Sequence, residues 1–91
     1  MATHDPMAAI LGDLRVIDCS TGLAGSVAAL LLAEAGADVI RIEPPGGDPA
    51  RGSASFAVWN RSKQSLVLDL ETEAGRAALQ ARLAGADILV H

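Results

Sequence analysis

Apolar and polar positions along this chain alternate between short β-branched runs and longer stretches rich in Ala, Leu and Val. Leu14-Arg15-Val16-Ile17-Asp18-Cys19 is the first β-branched run, and Ser20-Thr21-Gly22 behind it supplies the small polar residues and glycine of a turn. This reads as a strand followed by a loop. From Leu23 to Ala35 nearly every residue is a good helix former, and Gly36 stands where a left-handed residue closes a helix. A helix that apolar on all sides is expected to be buried. Asp38 to Glu43 reads as a second strand, after which Pro44-Pro45-Gly46-Gly47-Asp48-Pro49 excludes both helix and central strand. A structureless loop carrying Arg51, Phe56, Trp59, Asn60 and Arg61 is expected to run on to about Ser62. Loops of that length inside compact chains are usually functional or disordered, and a functional one is expected here. Ser65 to Leu70 reads as a third strand. Thr72 then caps a helix with Gly75, Leu79 and Leu83 on one face, Gly85 closes it, and Asp87 to Val90 is a fourth strand.

A weak internal repeat supports this order: Ala35-Gly36-Ala37-Asp38-Val39-Ile40 recurs as Ala84-Gly85-Ala86-Asp87-Ile88-Leu89. Two strand–helix–strand units with parallel strands follow, so the fold class is α/β, a Rossmann-like parallel sheet of three to four strands with flanking helices. So small a sheet leaves a face or an edge uncovered. Residues 11–91 are therefore read as an incomplete part of a larger domain that continues beyond His91, with a flexible extension over residues 1–10.

Composition narrows the function classes. Hydrophobic residues make up 51% and charged residues 20%, too apolar for disorder, while an aromatic content of 2% fits Ala/Leu/Val helices packed on a parallel sheet. Seven basic against eleven acidic residues give a net charge of −4, which disfavours nucleic acid and anionic membranes as partners. Met1 to Ala9 lack the pattern of an export leader and no apolar run is long enough to span a bilayer, so a cytoplasmic, non-membrane protein is expected. The single Cys19 reads as a small buried hydrophobe. His4 and His91 lie at the two termini and no His/Cys spacing fits a metal site, so no metal is expected. No nucleophile–base pair is visible.

In an open parallel sheet, ligands sit outside the carboxyl ends of the strands, here Ser20 to Gly25, Glu43 to Gly47 and Asp69 to Thr72. Gly22-Leu23-Ala24-Gly25 leads into a helix N-terminus, whose free N–H groups suit an anion or a polar ligand edge; the alternative is that glycine serves only a tight turn. Glu43 stands where a nicotinamide-dinucleotide fold places its ribose-binding acid, and it reads equally as an exposed strand-end carboxylate. The glycine fingerprint of that fold is incomplete, with only Gly22 and Gly25 in register. Arg51, Arg61 and Lys63 are either phosphate-binding cations or solvated loop charges.

Taken in order, several blocks resemble one family. Leu11-Gly12-Asp13-Leu14-Arg15-Val16-Ile17-Asp18 followed by Leu23-Ala24-Gly25, then Gly36 to Glu43, Pro45 to Arg51, Asn60 to Ser65, Leu68-Asp69-Leu70 and Ala86 to Val90, are similar to the opening of class III CoA-transferases and the related α-methylacyl-CoA racemases. The resemblance implies a two-domain, dimeric enzyme that moves CoA between carboxylic acids or epimerises 2-methylacyl-CoA, with acyl-CoA as its small-molecule substrate. It also implies a catalytic Asp, joined by a His in racemases, downstream of this chain. Residues expected to meet CoA are Gly22, Leu23, Pro44, Val67, Leu68, Asp69, Leu70 and His91. Members often carry an Arg where this chain has Pro44, so a phosphate contact is expected to be lost or to pass to Arg41 or Arg51. Ser26 and Gln64 also depart from the family's usual Pro and Arg. A stand-alone, non-catalytic nucleotide- or CoA-binding module and an NAD-binding domain are the two alternatives.

Overall fold

The second, third and fourth residues of the first strand, β1 (Arg15–Asp18), are all buried, as a strand covered on both faces must be. The computed structural model describes residues 11–91; the extension expected over residues 1–10 lies outside the described residues. After β1 come α1 (Leu23–Glu34), β2 (Asp38–Glu43), α2 (Ala54–Trp59), β3 (Gln64–Val67), α3 (Glu73–Leu83) and β4 (Ile88–Val90). The four strands form one sheet in the order β3-β2-β1-β4, and every pairing is parallel. Val16 of β1 faces Val39 of β2 on one side and Ile88 of β4 on the other. Those two partners occupy the same position in the sequence repeat, so the repeat places equivalent strands on the two flanks of β1.

The apolar core lies between the sheet and α1. Val16, Ala29, Ala37 and Val39 are almost fully buried, with Leu11, Leu14, Leu32, Ala33 and Val90 packed against them. Only Ser26, Ala29 and Leu30 of α1 are buried, and Leu23 and Leu31 stand 61% and 65% exposed. The expectation of a fully buried helix is corrected here. One face of α1 meets the sheet, and α2 touches the helix elsewhere.

Three boundaries differ from the sequence reading. Gly36 closes α1 with φ of +105°, as expected of a left-handed cap, whereas α3 ends through Ala84 in a right-handed conformation and Gly85 is not left-handed. The third strand stops at Val67 rather than Leu70. Its partner β2 ends at Glu43, and Pro44 has no N–H to extend the ladder, so the Leu68 N–H donating to the Glu43 carbonyl at 2.9 Å is the last rung. The loop expected to be structureless contains α2, started by Ser53, whose hydroxyl accepts from the Phe56 N–H at 3.2 Å. At six residues this helix is too short to show a period. Thr72 caps α3 as expected, accepting from the Gly75 N–H at 3.0 Å. Gly75 has no room for a side chain, since a Cβ there would lie 1.8 Å from the Asp69 carbonyl oxygen.

Candidate functional site

Side chains two apart on a strand share a face. Asp18 therefore follows Val16, and Arg41 and Glu43 follow Val39, onto the side of the sheet that carries the apolar core. At the carboxyl ends of the strands that side is polar, and the segment between β2 and β3 covers it. Asp18 is fully buried. One of its carboxylate oxygens accepts from the Ser20 N–H at 2.9 Å and the Ser20 hydroxyl at 2.5 Å. The other accepts from Lys63 Nζ at 2.8 Å and Arg41 Nη1 at 3.3 Å. Lys63 spends its two remaining protons on the Ser26 carbonyl at 3.0 Å and the Asn60 side-chain oxygen at 2.7 Å. Arg41 continues to Asp48 through Nη2, at 2.5 Å. Its buried Nε has no partner among the described residues.

A second ion pair adjoins the first. Glu43, 1% exposed, takes both Nε and Nη2 of Arg51 at 2.8 and 2.6 Å, the Asp48 N–H at 2.9 Å and the Ser65 hydroxyl. The guanidinium groups of Arg41 and Arg51 lie 5.5 and 5.2 Å from the centre of the Phe56 ring, which ties α2 to the same cluster.

These partners set the ionisation of the two carboxylates. Burial alone would raise Asp18, but hydrogen bonds from Lys63 and Ser20 outweigh it and hold the acid below its ordinary range. Glu43 is pulled down to about 2, chiefly by Arg51 against an opposing effect of burial, with help from Ser65 and the Asp48 amide. Glu43 is thus neither an exposed strand-end carboxylate nor a free acid for a ribose diol, because every hydrogen bond described for it is internal. Each of Arg51, Arg61 and Lys63 is bound to a carboxylate, Glu43, Glu34 and Asp18 respectively; Lys63 is buried, while Arg51 and Arg61 remain about half exposed to solvent.

Above this floor opens a cavity of about 850 Å³ at the carboxyl ends of β1, β2 and β3. Cys19, Ser20 and Thr21 line one side, Pro44, Pro45, Asp48, Pro49 and Ala50 a second, and Leu68, Asp69, Leu70 and Glu71 a third, with Arg41, Ile42 and Glu43 beneath. Cys19 is only partly buried, and burial together with the nearby Asp18 charge pushes its thiol up, against a smaller opposing pull from Arg41. A smaller cavity of about 180 Å³ adjoins it, lined by Gly22 and Leu23 and sharing Thr21, Arg41, Asp48 and Ala50. The N-terminus of α1 lies there with no side-chain cap and no acid in its first turn, which leaves its N–H groups for a ligand.

The structure therefore brings together Pro44, Leu68, Asp69 and Leu70 in one cavity and places Gly22 and Leu23 beside it. It leaves Val67 out on edge strand β3, 53% exposed, and His91 exposed after β4. The Asp18–Arg41–Lys63 cluster was not anticipated. Its one sequence signal is the charged residue at every second position after Val16 and Val39. No group of His, Cys, Asp and Glu side chains among the described residues could hold a metal. No described helix is long and apolar enough to cross a membrane.

A parallel α/β sheet with a cavity at the carboxyl strand ends is the open-sheet architecture of the α/β class. The chain belongs to CoA-transferase family III, whose family model matches residues 11–91. It is 40% identical over 93 residues to succinyl-CoA:mesaconate CoA-transferase of Haloarcula hispanica, a match covering 88% of this chain and 24% of that protein. It is 38% identical over 89 residues to subunit BbsE of succinyl-CoA:(R)-benzylsuccinate CoA-transferase of Thauera aromatica, covering 84% and 22%. Among solved structures, the orthorhombic form of Rv3272 from Mycobacterium tuberculosis matches with a TM-score of 0.82 at 37% identity, over 87% of this chain and 22% of that one. A CAIB/BAIF family protein from Brucella suis gives 0.77 at 33% identity, over 87% and 24%. The chain spans about a quarter of the length of these curated relatives.

Proposed function

We propose that this chain is the N-terminal, CoA-binding part of an enzyme that transfers CoA between carboxylic acids, with the catalytic Asp supplied by sequence beyond residue 91. The cavity at the carboxyl ends of β1, β2 and β3 carries this reading, since its size suits a large part of a nucleotide thioester and its walls mix proline and leucine surface with a few polar groups. In this reading Pro44, Leu68, Asp69 and Leu70 touch acyl-CoA in the main cavity, Gly22 and Leu23 offer backbone N–H groups beside it, and Val67 and His91 flank the bound molecule. Family membership supports the substrate class. The names of the relatives favour transfer over epimerisation, because both curated relatives described above are CoA-transferases. The full-length protein is proposed to be a cytoplasmic homodimer.

The full-length protein, incubated with succinyl-CoA and a panel of carboxylic acids, is expected to form a new acyl-CoA and one succinate per turnover, read by liquid chromatography. Epimerisation of a 2-methylacyl-CoA without CoA exchange would replace this reading by the racemase. Absence of both reactions together with absence of CoA binding would sink it.

A further inference from the structure

Gly25, in the first turn of α1, has no room for a side chain: a Cβ there would lie 2.4 Å from Ser20 Cβ and 3.1 Å from Ser20 Oγ. Gly25 is helical and is not one of the left-handed glycines, so its conformation does not call for glycine, and a helix interior disfavours it. What calls for it is the close approach of the α1 backbone to Ser20. Ser20 is in turn held by one buried carboxylate, since its N–H and its hydroxyl both donate to the same oxygen of Asp18, at 2.9 and 2.5 Å. The other Asp18 oxygen reaches α1 by a second route: Lys63 Nζ bridges it at 2.8 Å to the Ser26 carbonyl, one residue past Gly25, at 3.0 Å. Arg41 links that oxygen to the opposite wall, where Asp48 also accepts the Ala50 N–H at 2.8 Å. Asp48 and Ala50 line both cavities, while Asp18 lies fully buried beneath them.

We propose that Asp18 and Ser20 are positioning residues of the acyl-CoA site, which set the distance from the N-terminus of α1 to the wall formed by Asp48 and Ala50. This deepens the acyl-CoA reading above and rests on it. In that reading Gly22 and Leu23 present backbone N–H groups to the ligand, and such a hydrogen bond weakens outside about 2.7–3.2 Å. Two walls from different parts of the chain hold that spacing when both are tied to one fixed group. Here the fixed group is the Asp18 carboxylate, at the end of β1 between Arg41 of β2 and Val90 of β4. Ser20 is the spacer on the α1 side: its Cβ bears on the Gly25 backbone, and its hydroxyl ties it to Asp18.

Steady-state kinetics with succinyl-CoA and calorimetric titration with CoA, both on the full-length protein, test this. Gly25→Ala drives a new Cβ into Ser20 and is expected to raise KM and Kd about tenfold, with kcat held within about twofold, as for a loss of binding alone. Ser20→Gly removes the spacer with its hydroxyl and is expected to raise both constants about threefold. In Ser20→Gly/Gly25→Ala the nearest remaining contact of the new Cβ is Val90 Cγ1, at an ordinary 3.5 Å, so the double variant is expected at the level of Ser20→Gly alone. Independent effects would instead multiply to about thirtyfold, and that result overturns the proposal. A Gly25→Ala protein that melts at lower temperature but keeps its KM and Kd also overturns it, because a purely structural contact behaves that way. Should Gly25→Ala fail to fold, Ser20→Ala decides, since it keeps the Cβ and loses only the hydroxyl bond to Asp18. A rise of about threefold in KM and Kd there supports the proposal, and unmoved constants overturn it while leaving the acyl-CoA reading intact. An unaltered protein that binds no CoA defeats the acyl-CoA reading itself.

Discussion

The two ends of one face of the sheet are built on opposite principles. At the start of the strands, Val16 and Val39 pack with Ala29 and Ala37 under α1. One residue pair further along the same strands, the same face presents Asp18, Arg41 and Glu43, closed over by Lys63 and Arg51. Apolar burial is non-directional and tolerates changes of shape that conserve volume. A buried ionic cluster tolerates little, because removing one member strands the others without water. The fold is therefore anchored at one end by packing and specified at the other by charge, and the specified end is the floor of the cavity.

The largest test of that contrast is Asp18→Ala. It leaves Lys63 and Arg41 buried without their shared carboxylate and is expected to destabilise the protein by about 4 kcal/mol in denaturant unfolding. Leu30→Ala, at a buried apolar position of α1, is expected to cost about 3 kcal/mol by the loss of buried surface and the cavity it leaves. The conservative pair sharpens the comparison: Leu30→Met should stay below about 1.5 kcal/mol, whereas Asp18→Glu should lose most of what Asp18→Ala loses.

Acid should act on the ionic end first. Glu43 has a folded value of about 2 against an ordinary 4.5, so its contribution is complete above about pH 4.5 and is lost as pH falls toward 2. Asp18, also depressed, acts in the same direction. At most about 3 kcal/mol is at stake for Glu43, and Glu43→Gln should flatten the dependence of unfolding free energy on pH across that window. The smallest expected effect concerns Cys19. With its thiol pushed up by burial, alkylation at pH 8 should run several-fold slower in the folded protein than in the unfolded chain. Equal rates in the two states would show that the thiol is not held at the wall of the cavity.

The apolar end was legible in the sequence and the ionic end was not. β-Branched runs and a Gly-closed Ala/Leu helix announced β1, α1 and β2, and the repeat supported β4, because those signals are local. Asp18 meets Lys63 across 45 positions and Arg41 across 23, and no spacing argument reaches that far. The same cause misassigned Arg51 and Lys63, whose partners arrive only when the strands align. Helix α2 escaped because six residues give no period. Of the candidate ligand positions, the open-sheet rule gathers Pro44 and Leu68 to Leu70 at the strand ends but not Val67 and His91. The former share a cavity; the latter face outward.

The central claim is that acyl-CoA sits over this ionic floor. The most direct test is a crystal structure of the full-length protein with CoA bound. Ligand density against Pro44, Leu68 and Leu70 is the predicted result. An ordered CoA elsewhere on the protein, with those residues facing solvent, would contradict it.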